Sequence, residues 1–201
     1  MAEYYYTNNP TSEHEERHFT SVFMGRTLAF ETDAGVFSKQ HIDPGSEILC
    51  KSLPELHGRV LDMGCGWGAM TVMTLARFPA LDVTMADVNE RALDLARRNL
   101  KNNGAAAEVI ASDGFAALEG TFDHVVTNPP IRAGKALIYG LFDTAHERLR
   151  DGGALTIVIR KQQGAPSALK HLEETFGNAE VIAKGGGYWI IRSVKGKEEE
   201  A

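Results

Sequence analysis

Apolar and polar positions follow two different periods along the chain, and the changes between them divide it into elements. From residue 59 onward, short apolar runs typical of buried strands alternate with longer stretches. In the longer stretches the apolar residues recur every three or four positions, as in amphipathic helices. Strands that alternate with helices in this way indicate a mostly parallel sheet with helices on both faces. The predicted strands are RVLDM, LDVTMADV, AEVIAS, FDHVVT, ALTIVI, AEVIAK and YWIIRSV, and the predicted helices are GWGAMTVMTLARF, NERALDLARRNLKNNG, residues 135–149 and SALKHLEETF.

The first 58 residues have a different pattern. FTSVFM and TLAFET are strand-like runs, and Gly25-Arg26 between them predicts a two-residue type II′ hairpin turn. A loop and a short helix over residues 45–53 follow. We therefore predict one α/β domain of residues 1–201 with a small N-terminal β extension. Its parts are a polar, partly ordered N-terminus (1–18), a hairpin and helix extension (19–58), a core (59–194) and a charged tail (195–201).

Composition and charge limit the classes of function. The chain has 201 residues, of which 43% are apolar and 24% charged, as is ordinary for a soluble globular protein. It shows no apolar run of the ~20 residues that cross a bilayer and no secretion signal. The net charge of −6 argues against broad nucleic-acid binding, which needs a basic surface. A local basic patch from Arg160-Lys161, Arg132 and Lys135 remains open, as does ordinary solvated charge.

The two cysteines, Cys50 and Cys65, lie in a helical pattern and in a glycine loop. The sequence leaves a disulfide between them open. Two isolated cysteines fit a reducing compartment better than a disulfide scaffold. We therefore expect a cytoplasmic protein.

The segment FDHVVTNPPI is the most informative of the chain, because an apolar strand ends there in Asn128-Pro129-Pro130. Prolines have a fixed φ and no N–H to donate, so they cannot continue a sheet ladder, and the residue before a proline is kept extended. We predict that Asn128 is held at the carboxyl end of the strand, and that the carbonyls of Asn128 and Pro129 lack ladder partners. A rigid group of acceptors suits the binding of an exocyclic amino group through its two hydrogens.

A glycine-rich loop, residues 62–68 (DMGCGWG), follows the strand RVLDM and opens a helix. Glycines let the backbone turn sharply and approach a ligand closely, and in open α/β sheets ligands bind beyond the carboxyl ends of the strands. The spacing G-x-G-x-G differs from the G-x-G-x-x-G of dinucleotide sites, and Asp62 at the end of the strand would repel a pyrophosphate. The loop therefore favours an ammonium or sulfonium ligand over NAD.

Two further strands are followed by carboxylates. Asp87 can accept hydrogen bonds from both hydroxyls of a ribose, and Val88 beside it offers an apolar surface to an adenine ring. Asp113, in the turn Ser112-Asp113-Gly114, can accept from an adenine amino group. Alone, Asp87 is more readily a helix N-terminal acid and Asp113 a turn residue. Together with the glycine loop and Asn-Pro-Pro they predict S-adenosylmethionine, which has an ammonium, a ribose, an adenine and a methyl sulfonium.

These residues resemble class I methyltransferases of the Asn-Pro-Pro amino-methylating group. More narrowly, the chain is similar to the catalytic domain of RsmC-type ribosomal-RNA guanine-N2 methyltransferases, the "methyltransferase small domain". VLDMGCGWG is shared by many methyltransferases and NPP marks amino-group methylation generally, whereas Ala34-Gly35-Val36-Phe37-Ser38 is the narrower cue. The resemblance runs from about residue 27 to 194. It also rests on TDAGVFSKQHIDPGSEIL, ADVNERALDLARRNLKNN, SDGF, the RAGK after NPPI, LRDGGALTIVI and GGGYWIIRSV.

The resemblance implies a fold and a role for each matching position. The fold is a Rossmann-like, mostly parallel seven-stranded sheet with an antiparallel last strand, and the partner is RNA, most narrowly ribosomal RNA. The implied catalytic residues are Asn128, Pro129 and Pro130. The implied cofactor-binding residues are Phe37, Ser38, Asp62, Gly64, Cys65, Gly66, Gly68, Asp87, Val88, Asp113, Gly114 and Asn128. The implied substrate-binding residues are Phe37, Ile131, Arg132 and Lys135.

The expected reaction needs no metal and no nucleophilic side chain. The lone pair of an exocyclic amine is delocalised into the base. Acceptors at Asn128 and Pro129 would favour a pyramidal nitrogen whose lone pair faces the methyl group. The sulfonium is already a strong electrophile, so alignment and charge placement carry the rate. A base in a duplex would have to be flipped out or presented in a loop. His14 and His18 lie four residues apart but lack a third ligand, so they predict no metal site.

The chain departs from the full-length ribosomal enzymes in two ways. They carry an additional N-terminal domain implicated in RNA recognition, and they tend to have an aromatic residue where this chain has Ile131. Phe37 could stack on the base instead, or simply pack. Two alternatives stay open: a protein glutamine methyltransferase, whose Asn-Pro-Pro is usually followed by Tyr, and a non-catalytic partner subunit that binds S-adenosylmethionine. The oligomeric state is also open.

Overall fold

The computed structural model describes residues 13–197, and its elements follow the predicted order. The parts of the predicted N-terminus and charged tail that fall on residues 1–12 and 198–201 lie outside the described residues. The strands are β1 (Arg17–Phe23), β2 (Arg26–Thr32), β3 (Arg59–Met63), β4 (Asp82–Asp87), β5 (Glu108–Ala111), β6 (Phe122–Thr127), β7 (Leu149–Arg160), β8 (Glu180–Gly185) and β9 (Tyr188–Val194). The helices are α1 (Pro44–Ser52), α2 (Ala69–Arg77), α3 (Glu90–Asn102), α4 (Lys135–Arg148) and α5 (Ala165–Phe176).

The main sheet has seven strands in the order β5-β4-β3-β6-β7-β9-β8. The strands from β5 to β7 are parallel to their neighbours, whereas β9 is antiparallel to both β7 and β8. The predicted α/β fold, with a seven-stranded sheet and an antiparallel last strand, is therefore confirmed. The strand order reverses between β3 and β6, and such a reversal opens the crevice in which α/β proteins bind ligands.

Helices cover both faces of the sheet because its central strands are apolar on both sides. Buried side chains of α1, α2 and α3, such as Leu49, Met73 and Leu93, form one apolar layer with one face of the sheet. Those of α4 and α5, such as Phe142 and Leu172, form the second layer with the other face. Both layers pack against the sheet below the carboxyl ends of its strands.

The N-terminal hairpin is fixed to α3 by two asparagine side chains one helical turn apart. The Asn103 amide accepts from Ala29 N at 3.0 Å and donates to Ala29 O at 2.7 Å. The Asn99 amide does the same with Glu31, accepting at 2.7 Å and donating at 2.9 Å. These amides take the place of a neighbouring strand along β2, so the two-stranded sheet β1-β2 is bound to the core through hydrogen bonds as well as apolar contacts.

Several local predictions were wrong. The hairpin turn is Met24-Gly25, with φ of 48° and 81°, because Phe23 pairs with Arg26. Positive φ at both central residues is typical of a type I′ turn, not of the predicted II′. Helix α2 begins at Ala69 and not at Gly66, since Gly66 and Gly68 have positive φ and cannot be helical. Strand β7 begins at Leu149, five residues before the predicted start.

Burial of His124 in β6 predicts a loss of stability in acid. Its ring is 6% exposed, lies 5.3 Å edge-to-face from the His57 ring, and has no partner for Nε2 among the described residues. Burial, with the nearby charges of His57 and Arg192, lowers the pKa of His124 from 6.5 to about 4. Between these values the unfolded chain binds a proton that the folded chain does not. The free energy of unfolding should therefore fall by about 3 kcal/mol as the pH drops from 7 to 4.

Urea unfolding at pH 7 and pH 4.5 measures this effect. His124→Leu should flatten the acid limb of the stability profile, whereas His41→Gln, at an exposed loop position, should leave it as steep as in the unchanged protein. Equal pH dependence in the His124 variant and the unchanged protein would refute the assignment.

Candidate functional site

A cavity of about 730 Å³ lies over the carboxyl ends of β5, β4, β3 and β6. In this spatial order the strand ends present Asp113, Asp87, the glycine loop and Asn128. The sequence prediction that these groups share one edge of the sheet is therefore what the structure shows. All the predicted site residues line the cavity except Asp62, Gly68 and Lys135.

The backbone of the glycine loop is pinned to the end of β4. The N–H groups of Gly64 and Cys65 both donate to Ala86 O, at 2.8 and 3.0 Å, and Gly66 N donates to Asp87 Oδ2 at 2.8 Å. Gly64 and Gly66 have φ of 69° and 54°, which L side chains rarely adopt. The loop thus brings bare backbone to the wall of the cavity, close enough for a ligand to contact it.

The third glycine of the loop serves the packing of the helices. Gly68 does not line the cavity, and a Cβ on it would lie 3.0 Å from the Met85 side chain and 3.3 Å from Ala96 Cα. Its φ of 89° adds a second reason for glycine. Glycine at position 68 therefore permits a close approach of the start of α2 to β4 and to helix α3, and its cofactor contact stays a prediction.

Asp62 lies beneath the glycine loop and is 1% exposed. Its Oδ2 accepts from Thr71 Oγ1 at 2.7 Å, while Oδ1 has no hydrogen-bond partner among the described residues. Burial raises the pKa of Asp62 to about 7. A buried carboxylate oxygen without a donor is costly, and a cationic group seated on the loop above would relieve that cost.

Asp87 combines a structural and a ligand-facing position. Its Oδ2 holds Gly66 N, and its Oδ1 accepts from Asn89 N at 2.9 Å. Burial raises the pKa of Asp87 above its usual value. The backbone N–H of Val88 also donates to this carboxylate, so about one of its roughly four acceptor sites remains for a ribose hydroxyl. Val88 and Asp113 line the same end of the cavity.

The N-terminal wall of the cavity is the loop between β2 and α1. Trp67 Nε1, from the glycine loop, donates to Phe37 O at 2.7 Å, and Asn89 Nδ2 donates to Gly35 O at 3.1 Å. Ser38 has a φ of 54°, unusual for a residue with a side chain. The Phe37 side chain lines the cavity and is 40% exposed. The structure therefore places Phe37 and Ser38 in the N-terminal wall of the cavity, and their closure of the pocket over a cofactor stays a prediction.

The side chain of Asn128 is held from behind. Its Nδ2 donates to Ser46 Oγ at 2.9 Å and to Asp43 Oδ2 at 3.2 Å. The amide oxygen is consequently the atom available to the cavity that Asn128 lines. The carbonyl of Pro130 accepts from Ala133 N at 2.8 Å and closes a short 3-10 turn over Ile131–Ala133.

The substrate side of the cavity carries apolar and basic groups. Ile131 and Arg132 line it, as do Leu137, which is 56% exposed, and Arg160. Lys135, which was predicted with Arg132, lies at the start of α4 and is exposed outside the cavity lining. Of the predicted basic patch, the structure therefore brings Arg132 and Arg160 to the cavity.

Sequence reasoning missed the residues that support the site: Asp43, Ser46, Trp67 and Tyr188. Asp43 is the N-cap of α1, and the segment Asp43-Pro44-Gly45-Ser46 is a recognisable helix start. That signal predicts where the helix begins, but it does not predict the contact of Asp43 with Asn128, 85 residues further along the chain. Trp67 had no signal other than its place in the glycine loop.

Other kinds of site find no support in residues 13–197. This part of the chain has no cluster of three or more His, Cys, Asp or Glu residues arranged to hold a metal ion. Both cysteines are free and buried, and burial raises the pKa of each thiol. None of the helices that the structure describes has the length and apolar character required to cross a bilayer.

Comparison with known proteins gives consistent matches over most of the chain. The family described as "Methyltransferase small domain" matches residues 27–192. A Bacillus subtilis protein called "Uncharacterized protein YbxB" is 39% identical over 200 residues, covering 97% of this chain and all of its own length. The "Ribosomal RNA small subunit methyltransferase C" of Cronobacter sakazakii is 36% identical over 175 residues, covering 85% of this chain and 50% of its own.

A solved structure with the same fold is the T. thermophilus "16S rRNA N2 G1207 methyltransferase (RsmC) in complex with AdoMet and Guanosine". It is 30% identical, with a TM-score of 0.81, and the match covers 92% of this chain and 52% of that one. This chain therefore spans about half the length of the proteins called methyltransferase C or RsmC, and the whole length of the Bacillus protein.

Proposed function

Because the chain belongs to the methyltransferase small domain family, we propose that it transfers the methyl group of S-adenosylmethionine to an exocyclic amino group of an RNA base, most specifically N2 of a guanine in ribosomal RNA. The family match confirms the resemblance noted in the sequence. The substrate proposal draws on the RsmC relatives, which are between 30 and 39% identical to this chain over the part that matches.

The orientation of Asn128 is the observation that carries the proposal. With Nδ2 held by Asp43 and Ser46, the amide presents an acceptor to the cavity at the end of β6. An acceptor at that point can take a hydrogen bond from an amino group and cannot take one from a carbonyl. The target amine would thereby be fixed with its lone pair directed toward the centre of the cavity.

The order of the strand ends supports the cofactor. Asp113 would bind the adenine amino group, Asp87 the ribose, and the glycine loop the methionine part, next to Asn128 on β6. The partnerless Oδ1 of Asp62 fits a cationic ligand, and the bare backbone of Gly64 and Gly66 fits close approach. S-Adenosylmethionine supplies an activated methyl carbon on a sulfonium at this place, and the T. thermophilus structure contains the same cofactor under the name AdoMet.

In the proposed reaction the amine nitrogen forms a bond to the methyl carbon as the carbon–sulfur bond breaks. The bonding electron pair goes to sulfur, which becomes a neutral thioether, and the nitrogen then loses a proton to solvent. Asn128 aligns the amine, and the pocket supplies geometry and charge placement instead of an acid–base pair. Phe37, Ile131 and Leu137 offer the apolar surface against which the base would lie.

Two features bear on the RNA. Arg132 and Arg160 line the cavity and would contact phosphates beside the target nucleotide. The net charge of −6 leaves recognition to such local groups rather than to a basic surface. A protein glutamine methyltransferase would label a protein instead of RNA, and a non-catalytic subunit would label nothing, so the products distinguish both alternatives from this proposal.

Methyl transfer to RNA tests the proposal directly. The protein is incubated with methyl-labelled S-adenosylmethionine and ribosomal subunits or naked ribosomal RNA from cells that lack it, and nucleosides are then separated. We expect labelled N2-methylguanosine. A labelled N6-methyladenosine would change the base but keep the reaction class, a labelled protein would favour the glutamine alternative, and no product with any acceptor would support a non-catalytic subunit.

Cofactor affinity should depend on pH through Asp62. The pKa of about 7 belongs to the free protein, and a nearby ammonium or sulfonium would lower it, so binding releases a proton below pH 7. The affinity should therefore fall by up to about tenfold for each pH unit below 7. Calorimetry from pH 5.5 to 8 measures it, and Asp62→Asn should remove the dependence because it keeps the Thr71 contact without a titrating group. If the affinity of both proteins depends equally on pH, the ammonium or sulfonium group of the cofactor does not lie near Asp62.

A further inference from the structure

Four residues that line the cavity form a hydrogen-bonded series of side chains at its substrate end. Arg160 Nη2 donates to Tyr188 OH at 2.7 Å, and Tyr188 OH donates to Asp43 Oδ1 at 3.1 Å. Asp43 Oδ2 accepts from Asn128 Nδ2 at 3.2 Å. The series joins four separate elements of the chain: the end of β7, the start of β9, the start of α1 and the end of β6.

The chemistry of Asp43 decides which way the Asn128 amide points. An asparagine amide can be turned over with little change in shape, and only its partners distinguish the oxygen from the nitrogen. Ser46 Oγ can donate or accept, so it does not distinguish them. An ionised carboxylate can only accept, so the amide nitrogen must face Asp43, and hydrogen bonds to a charged group of this kind favour one arrangement by about tenfold to a hundredfold.

We propose that Asp43 is a positioning residue for methyl transfer: its carboxylate turns the Asn128 amide so that Oδ1 faces the substrate amine. If the amide were turned over, two N–H groups would meet the two hydrogens of the amine and repel them. The inference rests on the proposed function, since it assigns Asp43 a part in holding Asn128 for that reaction.

The carboxylate is itself fixed from three sides. Its Oδ2 also accepts from Ser46 N at 3.0 Å, which caps α1. Its Oδ1 is held by Tyr188, whose ring lies against the Arg160 guanidinium at 4.6 Å. Gly45 permits this arrangement, because a Cβ there would lie 2.6 Å from the Tyr188 ring and 2.9 Å from Asp43 Oδ2. Three donors, Ser46 N, Asn128 Nδ2 and Tyr188 OH, therefore hold the carboxylate in this orientation.

Asp43→Ser separates the positioning role from the cap of α1. Serine is a good N-cap, so the helix start survives, but the acceptor next to Asn128 is lost. We expect kcat for methyl transfer to fall by about tenfold to a hundredfold, with the Kd for S-adenosylmethionine changed by less than about threefold. Asp43→Asn should recover most of the lost rate, since Ser46 N keeps the asparagine oxygen at the position of Oδ2. Asp94→Ser, on the exposed face of α3, is the matched control and should not change kcat.

Two further results would overturn the proposal. If the cofactor Kd rises as much as kcat falls, Asp43 is a cofactor ligand and not a positioning residue. If Asp43→Ser lowers the residual rate of Asn128→Ala by the same factor as it lowers that of the unchanged protein, the two residues act independently.

A measurement without substrate separates this inference from the proposed function. The side-chain NH2 resonances of Asn128, assigned by their absence in Asn128→Ala, can be followed by nitrogen-15 NMR. In the unchanged protein they should exchange slowly with solvent, and Asp43→Ser should shift them and speed exchange at least about tenfold. Unaltered resonances would refute the role of Asp43 even where RNA methylation is observed, and the predicted change would support it even where the RNA substrate proves wrong.

Discussion

Asn128→Ala is expected to lower kcat for methyl transfer by about 10²- to 10³-fold, the loss typical of removing one preorganised group that acts on the transition state. The variant removes the proposed acceptor for the substrate amine, while the glycine loop and Asp87, the proposed cofactor-binding groups, keep their own contacts. The Kd for S-adenosylmethionine should therefore change by less than about threefold. Single-turnover methylation of RNA and calorimetric titration of the cofactor measure the two quantities.

The same substitution at an exposed asparagine is the control for an effect on kcat that any asparagine-to-alanine change would produce. Asn102 lies on the surface of α3, and its amide donates to Glu31 of β2. The kcat of Asn102→Ala should equal that of the unchanged protein. Asn128→Asp should be as inactive as the alanine variant, because a second carboxylate would lie about 3 Å from Asp43 Oδ2, where Nδ2 now donates at 3.2 Å. A cofactor Kd that rises in parallel with the loss of kcat would contradict the assignment of Asn128 to the amine.

Asp87→Ala is expected to raise the cofactor Kd by at least about 100-fold. Hydrogen bonds to a charged acceptor contribute about 1.5–3 kcal/mol each, and in the proposed binding mode the carboxylate accepts one from a ribose hydroxyl. The substitution also deprives Gly66 N and Asn89 N of their acceptor, so the glycine loop loses its fixed distance from β4. Equilibrium binding of S-adenosylmethionine measures the effect.

The same strand provides the control for this substitution. Asp82 is exposed at the opposite end of β4, so Asp82→Ala should bind the cofactor as the unchanged protein does. Asp87→Asn keeps one oxygen and should give an intermediate Kd. If Asp87→Ala binds the cofactor within about threefold of the unchanged protein, the ribose lies elsewhere in the cavity and the proposed order of adenine, ribose and methionine along the strand ends is wrong.

The sequence predicted the sheet and the strand-end groups because both depend on local patterns. Parallel strands must bring their carboxyl ends to one edge, so Asp87, Asp113 and Asn128 could be placed together without knowledge of packing. Apolar runs separated by helical periods gave the number and direction of most strands. The type of hairpin turn could not be read in the same way, because a register shift of one residue changes which residues occupy the turn.

The supporting residues escaped prediction for a different reason. Asp43 and Tyr188 are 145 residues apart in the chain and meet only because β9 inserts between β7 and β8 beneath α1. A helix cap and an aromatic strand residue each have an ordinary local explanation, so neither pattern indicated the other. The packing role of Gly68 was missed for the same reason, because Met85 and Ala96, which a Cβ there would contact, are distant in the sequence.

The asparagine amides that bind β2 to α3 have a consequence for any shortened form of this protein. A chain that started at residue 59 would keep the whole seven-stranded sheet. The Trp67 indole, however, would lose its hydrogen-bond acceptor, Phe37 O, and its edge-to-face contacts with Phe19 and Phe30. Asn99 and Asn103 would lose their partners on β2, at Glu31 and Ala29, and would keep only their hydrogen bonds to Trp67 O and Asn99 O. The hairpin thus supports the glycine loop from outside the pocket. Its removal should therefore lower the affinity for a ligand that binds on that loop.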